Sequence, residues 1–100
     1  MAKEINVQEL KRRQDAGPVK LIDVREPHEY EEDNLGGQSI PLSTVPDQLE
    51  AIGSKDEEII VHCRSGKRSA QAQRYLESEG YSNVHNLTGG ILAYREAFPK

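Results

Sequence analysis

The apolar residues of this chain fall into short, dense runs separated by polar stretches of helical or loop-like spacing. The strongest run is EEIIVH, centred on Ile59, Ile60 and Val61, and the next is VKLIDV, Val19 to Val24. Both are continuous and β-branched, the pattern of strands buried on two faces. Val84 to Leu87 predicts another strand, KEINV a short one, and Ser39-Ile40-Pro41 a brief one. Between them the periodicity turns helical. Asn6 followed three residues later by Glu9 resembles a capping box, opening a helix to about Ala16 that Gly17-Pro18 stops. Pro27 to Tyr30 predicts one helical turn, and Ser43 is placed to cap a short helix through Leu49 ending at Gly53. Ser69 to Glu79 sets Ala72, Tyr75 and Leu76 on one side, with Gly80 as the stop. Gly89-Gly90 leads into a last helix through Ala97. Strands alternating with helices predict an α/β fold, an open parallel sheet with helices on both faces. Ligands of such sheets sit beyond the carboxyl ends of strands. Cys63 ends the strongest strand.

Composition narrows the setting. One hundred residues suit one domain, spanning residues 1–100. A net charge of −4 disfavours general binding to nucleic acid, which needs a basic face. The start, Met-Ala-Lys-Glu-Ile-Asn, lacks a signal peptide's apolar core, and no apolar run is long enough to cross a membrane. A lone cysteine excludes an intrachain disulfide and offers no thiolate cluster for zinc. A cytoplasmic monomer without metal or organic cofactor is the expectation.

That single cysteine is placed for chemistry. Only the thiolate is a strong nucleophile, and an ordinary thiol titrates near pH ~8.5. A helix start after the loop, together with Arg64, Lys67 and Arg68, favours the thiolate. Gly66 allows the backbone to curve so that successive N–H groups form a nest for an anion. A structural, buried cysteine is the plain alternative, but the following RSGKRS belongs in water.

Loop length discriminates between anions. Tyrosine phosphatases carry His-Cys, a glycine, and an arginine six positions after the cysteine. Here the sixth position is Ser69, and Arg68 comes one residue early. A shortened ring of N–H donors suits one extra sulfur atom, a persulfide, better than a phosphoryl group. A cysteine-dependent phosphatase is therefore the second reading.

Four stretches, in order, resemble the single-domain rhodanese family of sulfurtransferases. LIDVREPHEY (Leu21 to Tyr30) is similar to its first signature, with Asp23, Arg25 and Glu29 in their usual places. NLGGQSIPLS (Asn34 to Ser43) resembles the following stretch, with Asn34 where His is frequent and Gly37 where Ala is. VHCRSGKRS resembles the six-residue active loop, Cys63 to Arg68. NLTGGILAYREAF (Asn86 to Phe98) resembles the closing signature, with Tyr94 in place of Trp.

The resemblance implies five parallel strands flanked by helices. It also implies transfer of sulfane sulfur from a donor such as thiosulfate to an acceptor such as cyanide or a thiol. Cys63 would then be the catalytic nucleophile, with Arg64, Ser65, Gly66, Lys67, Arg68 and Ser69 as its binding loop. Arg64 and Lys67 are expected to hold the donor's sulfonate oxygens, and Arg68 to buttress the loop by pairing with an acid, Asp23 being the candidate. Asp23 and Arg25 support the loop or the next turn, and Ser69 caps the helix or bonds within the loop. A sulfur-relay protein is a candidate partner, and a persulfide-carrying module with little thiosulfate turnover a further alternative. His62 should point to the face opposite Cys63. The acidic run Glu26 to Asp33 reads as a solvated helix face. Tyr94 reads as helix core, and His28 and His85 as surface groups.

Overall fold

The computed structural model describes residues 3–100. Its elements, in order, are β1 (Lys3–Ile5), α1 (Val7–Ala16), β2 (Leu21–Asp23), α2 (Pro27–Glu32) and β3 (Gln38–Ser39). A 3-10 segment (Leu42–Asp47) follows, then α3 (Leu49–Ile52), β4 (Ile59–His62), α4 (Lys67–Ser78), β5 (Val84–Leu87) and α5 (Gly90–Ala97). The five strands form one sheet in the order β1-β5-β4-β2-β3, and every pairing is parallel.

The sheet order follows from burial. β4 is central, and Ile59, Ile60 and Val61 are each 0% exposed, as a strand covered on both faces requires. Each buried aliphatic side chain of this kind contributes about 1.5 to 3 kcal/mol. On one face Ile22, Val24, Ile59 and Val61 pack with Ala72 and Leu76 of α4, Ile52 of α3 and Val45 of the 3-10 segment. On the other, Leu21, Ile60 and Leu87 meet Val7 and Leu10 of α1 and Tyr94 of α5. Helices thus cover both faces. β3, with both residues exposed, closes one edge.

Local chemistry sets the boundaries. Asn6 caps α1, its side chain accepting from the Glu9 N–H at 2.8 Å. Glu26 and Glu29 form a reciprocal capping box on α2, with Pro27 at its first turn. Two expectations need correcting. Ser43 caps nothing: Pro46 falls within this stretch and cannot donate a backbone N–H, and it divides into the 3-10 segment and α3. Helix α4 starts at Lys67, two residues before Ser69, because Gly66 adopts φ +112° and turns the chain directly into helix. Lys67 and Arg68 therefore lie in the first helical turn.

Among the described residues no helix is long and apolar enough to cross a membrane.

Candidate active site

Cys63 follows the last residue of β4, at the carboxyl edge of the sheet between β5 and β2. Strand alternation sends its side chain to the face shared with Val61, where it joins the α3–α4 core at 1% exposure. The loop then closes over it. The Gly66 N–H donates to Sγ at 3.1 Å, and Ser69 Oγ lies 3.4 Å away. Burial alone pushes the thiol up. The Ser69 hydroxyl and the backbone N–H groups of Ser69, Gly66 and Ser65 pull it down, and together they win, so the thiol titrates below its ordinary value.

The sulfur is ringed by donors, and the cations stand outside it. Arg64 and Lys67 are exposed, and among the described residues neither enters an ion pair, unlike Arg25, Arg68 and Arg95. Arg68 is committed. Its Nη1 and Nη2 donate to Glu29 Oε1 and Oε2 at 2.7 and 3.1 Å, a bidentate pair that ties α4 to α2. This bond holds the Glu29 carboxyl down at about 2, and the Glu26 N–H and the charges of Arg68 and Arg25 add to it against the cost of burial.

The expected partner of Arg68, Asp23, is engaged elsewhere. Its carboxylate accepts from Arg25 Nε at 3.0 and 3.1 Å, from Arg25 Nη2 at 2.8 Å and from the Arg25 backbone N–H at 3.0 Å. Both side chains are buried, and Arg25 also donates to the Asp33 carbonyl at 2.6 Å. The carboxylate at the end of β2 is taken by the arginine two residues on, and Arg68 pairs with Glu29 instead. Asp23 and Arg25 thus brace the β2–α2 connection and make no hydrogen bond to the Cys63 loop.

The acidic stretch is also less uniform than expected. Glu29 holds Arg68, and Asp33 pairs with Arg95 through two bonds of 2.8 Å; Glu26, Glu31 and Glu32 face solvent. A cavity of about 210 Å³ opens here, lined by Arg64, Glu29, Asp33, Ile91, Leu92 and Arg95 among others. A cleft of about 430 Å³ lies between α1 and α5, and none of its lining residues belongs to the loop.

Helix α5 seats the other side of the loop. The Ile91 and Leu92 N–H groups donate to the Cys63 and Arg64 carbonyls at 3.0 and 3.2 Å. So close an approach excludes a side chain at Gly90, where a Cβ would overlap both carbonyl oxygens and φ is +59°. The glycine pair is a tight strand-to-helix turn pressed against the Cys63 loop.

Ser69 does not cap α4, whose N-cap is Gly66; it bonds within the loop. Its Oγ–H donates to Asn86 Oδ1 at 2.6 Å, and Asn86 Nδ2 donates to the Gly66 carbonyl at 3.1 Å. Asn86 escaped the sequence reading, although a polar residue inside the buried strand VHNL is the kind of signal that flags a role. His62 is 0% exposed, with Nε2 3.8 Å from Asp23 Oδ2 and neither ring nitrogen hydrogen-bonded. Burial holds its pKa below the ordinary value, against the pull of Asp23. Tyr94 is core, its hydroxyl donating to Gln14 Oε1 at 2.8 Å. His28 is exposed and His85 half-buried.

Comparison with known proteins agrees with this geometry. A family profile described as the rhodanese-like domain matches residues 6–97. A sulfurtransferase of Allochromatium vinosum is 38% identical over 96 residues, covering 94% of this chain and 89% of that protein. The thiosulfate sulfurtransferase GlpE of Stutzerimonas stutzeri is 33% identical over 85 residues, 84% of this chain and 76% of that protein. The crystal structure of a rhodanese-like domain protein from Staphylococcus aureus superposes with a TM-score of 0.85 at 34% identity, covering 92% of this chain and 90% of that one.

Proposed function

The chain belongs to the rhodanese-like domain family, and from that premise we propose that it carries sulfane sulfur on Cys63, taking it from thiosulfate or a persulfide donor and passing it to a thiol or cyanide. Sulfur transfer is the activity named for its relatives. One observation carries the finer reading: Cys63 is 1% exposed, its sulfur inside a ring of N–H donors, while two uncommitted cations, Arg64 and Lys67, stand at the surface. A reagent with a single protruding atom and an anionic body fits that arrangement. Thiosulfate has that shape.

The reaction balances without a cofactor. The Cys63 thiolate attacks the outer sulfur, a new S–S bond forms, and the S–S bond of thiosulfate breaks. Sulfite leaves with the bonding pair, its oxygens held by Arg64 and Lys67. The negative charge now sits on the outer sulfur of the persulfide, against the loop N–H groups. Cyanide or a thiolate then attacks that sulfur, forming thiocyanate or a new persulfide and returning the Cys63 thiolate. Arg68, locked to Glu29, holds the loop in place.

The test is steady-state kinetics with thiosulfate and cyanide. Thiocyanate should form with ping-pong kinetics, and Cys63→Ser should abolish it. Cys63-dependent hydrolysis of an aryl phosphate without thiocyanate formation would instead select the phosphatase reading.

A further inference from the structure

Asn86 touches two of the groups that reach the Cys63 sulfur. Its Oδ1 accepts the Ser69 hydroxyl at 2.6 Å, and its Nδ2 donates to the carbonyl of Gly66, whose own N–H donates to Sγ. The Nδ2 bond leaves only one orientation for the carboxamide, with the acceptor oxygen toward Ser69. Asn86 is 7% and Ser69 0% exposed, so bulk water does not compete for either group.

A serine hydroxyl carries one proton. At 2.6 Å from Asn86 Oδ1 and 3.4 Å from Sγ, that proton has two acceptors in reach, and the amide is the nearer. In the thiolate state, full negative charge on Sγ attracts the proton, and giving it up strands a buried amide oxygen. In the persulfide state the charge moves out to the second sulfur, and Ser69 keeps its bond to Asn86 at no loss. The two states therefore differ in what they ask of Asn86.

We propose that Asn86 is a positioning residue for sulfur transfer, retaining the Ser69 proton and thereby favouring the persulfide over the free thiolate. This inference rests on the persulfide reading for its second half, whereas its first half concerns the thiolate alone. Both act through Ser69.

A double-mutant cycle separates this role from simple support of the loop. The pH dependence of Cys63 alkylation by iodoacetamide would be measured for the wild type, Asn86→Ala, Ser69→Ala and the double variant. Arg64, Lys67 and Arg68 on the loop, Glu29 facing Arg68, and Asp23, Arg25 and His62 behind it are common to all four, so their charges cancel. Losing the Gly66 anchor is common to both Asn86 variants and cancels too. With Ser69 present, Asn86→Ala should free the proton and shift the inflection to lower pH relative to the same change in the Ser69→Ala background. The expected coupling is about three- to tenfold in thiolate fraction below the inflection. Equal shifts in both backgrounds, or a coupling of opposite sign, overturn the proposal. Should Asn86→Ala fail to melt cooperatively, Asn86→Leu removes the same two polar arms while filling the space.

The second readout is persulfide occupancy by intact mass at a fixed ratio of thiosulfate to sulfite. It should fall in Asn86→Ala relative to wild type, and fall less when Ser69 is absent. If all four proteins load sulfur equally, the Asn86 inference fails and the sulfurtransferase reading stands. If none loads, that reading fails, while the alkylation cycle still decides the thiolate half.

Discussion

Replacing Glu29 with Gln removes one charge from the Arg68 pair while keeping the shape that accepts the Glu26 N–H. The displacement of the Glu29 carboxyl from 4.5 to about 2 caps the contribution of its charge at roughly 3 kcal/mol. The side chains of Arg68 and Glu29 are 34% and 20% exposed, so water screens the pair, and about 1 to 1.5 kcal/mol is the expected loss. In a domain of this size that lowers Tm by about 4 to 8 °C. The sign with pH follows from the depressed carboxyl. The stabilisation is complete above the unfolded value of 4.5, shrinks as pH falls, and is gone below about 2. Urea unfolding from pH 7 to pH 3 should show the gap between wild type and Glu29→Gln narrowing to less than about half. Arg68 also feels the Cys63 charge. Freed from Glu29, it should favour the thiolate and move the alkylation profile to lower pH. Equal stability at pH 7, or a gap that stays constant down to pH 3, would refute the assignment of Arg68 as a Glu29-locked brace.

Three further outcomes follow from the same contacts. Asp23→Asn leaves Arg25 buried without its counter-charge and should cost about 3 kcal/mol or more in urea unfolding, with activity falling through loss of fold. Gly90→Ala forces a Cβ into the Cys63 and Arg64 carbonyls; a loss of about 1 to 3 kcal/mol and slower sulfur loading are expected, by thermal melt and stopped-time mass analysis. Arg64→Ala and Lys67→Ala, at exposed and unpaired positions, should leave Tm within about 2 °C and raise KM for thiosulfate several-fold, more at low salt than at high.

The strands and long helices were legible because their signals are local. Ile59 to Val61 is a continuous apolar run, Asn6 and Gly17 bracket α1, and Gly89-Gly90 announces a turn. The α4 start was missed by two residues because a glycine N-cap carries no side-chain signal, only a backbone angle. The partnerships at the site were harder to read for a different reason. Glu29 lies 39 residues from Arg68 in sequence, and Asn86 lies 17 from Ser69. Which carboxylate reaches which arginine depends on how α2 docks beside α4, and sequence spacing says nothing of that. Asp23, at a strand end, is the expected acid for Arg68, but its carboxylate is taken by Arg25 two residues on. Of the expected division among the loop cations, the scaffold role of Arg68 is visible in its pair with Glu29, while the expected grip of Arg64 and Lys67 on the donor anion is a matter for kinetics.

The central claim is that Cys63 carries one sulfur atom. Intact-mass measurement after incubation with thiosulfate tests it most directly. The wild-type protein should gain the mass of a single sulfur atom, lose it on treatment with cyanide, and show neither change as Cys63→Ser. A wild-type chain that gains no sulfur from thiosulfate or from a persulfide donor would contradict the account.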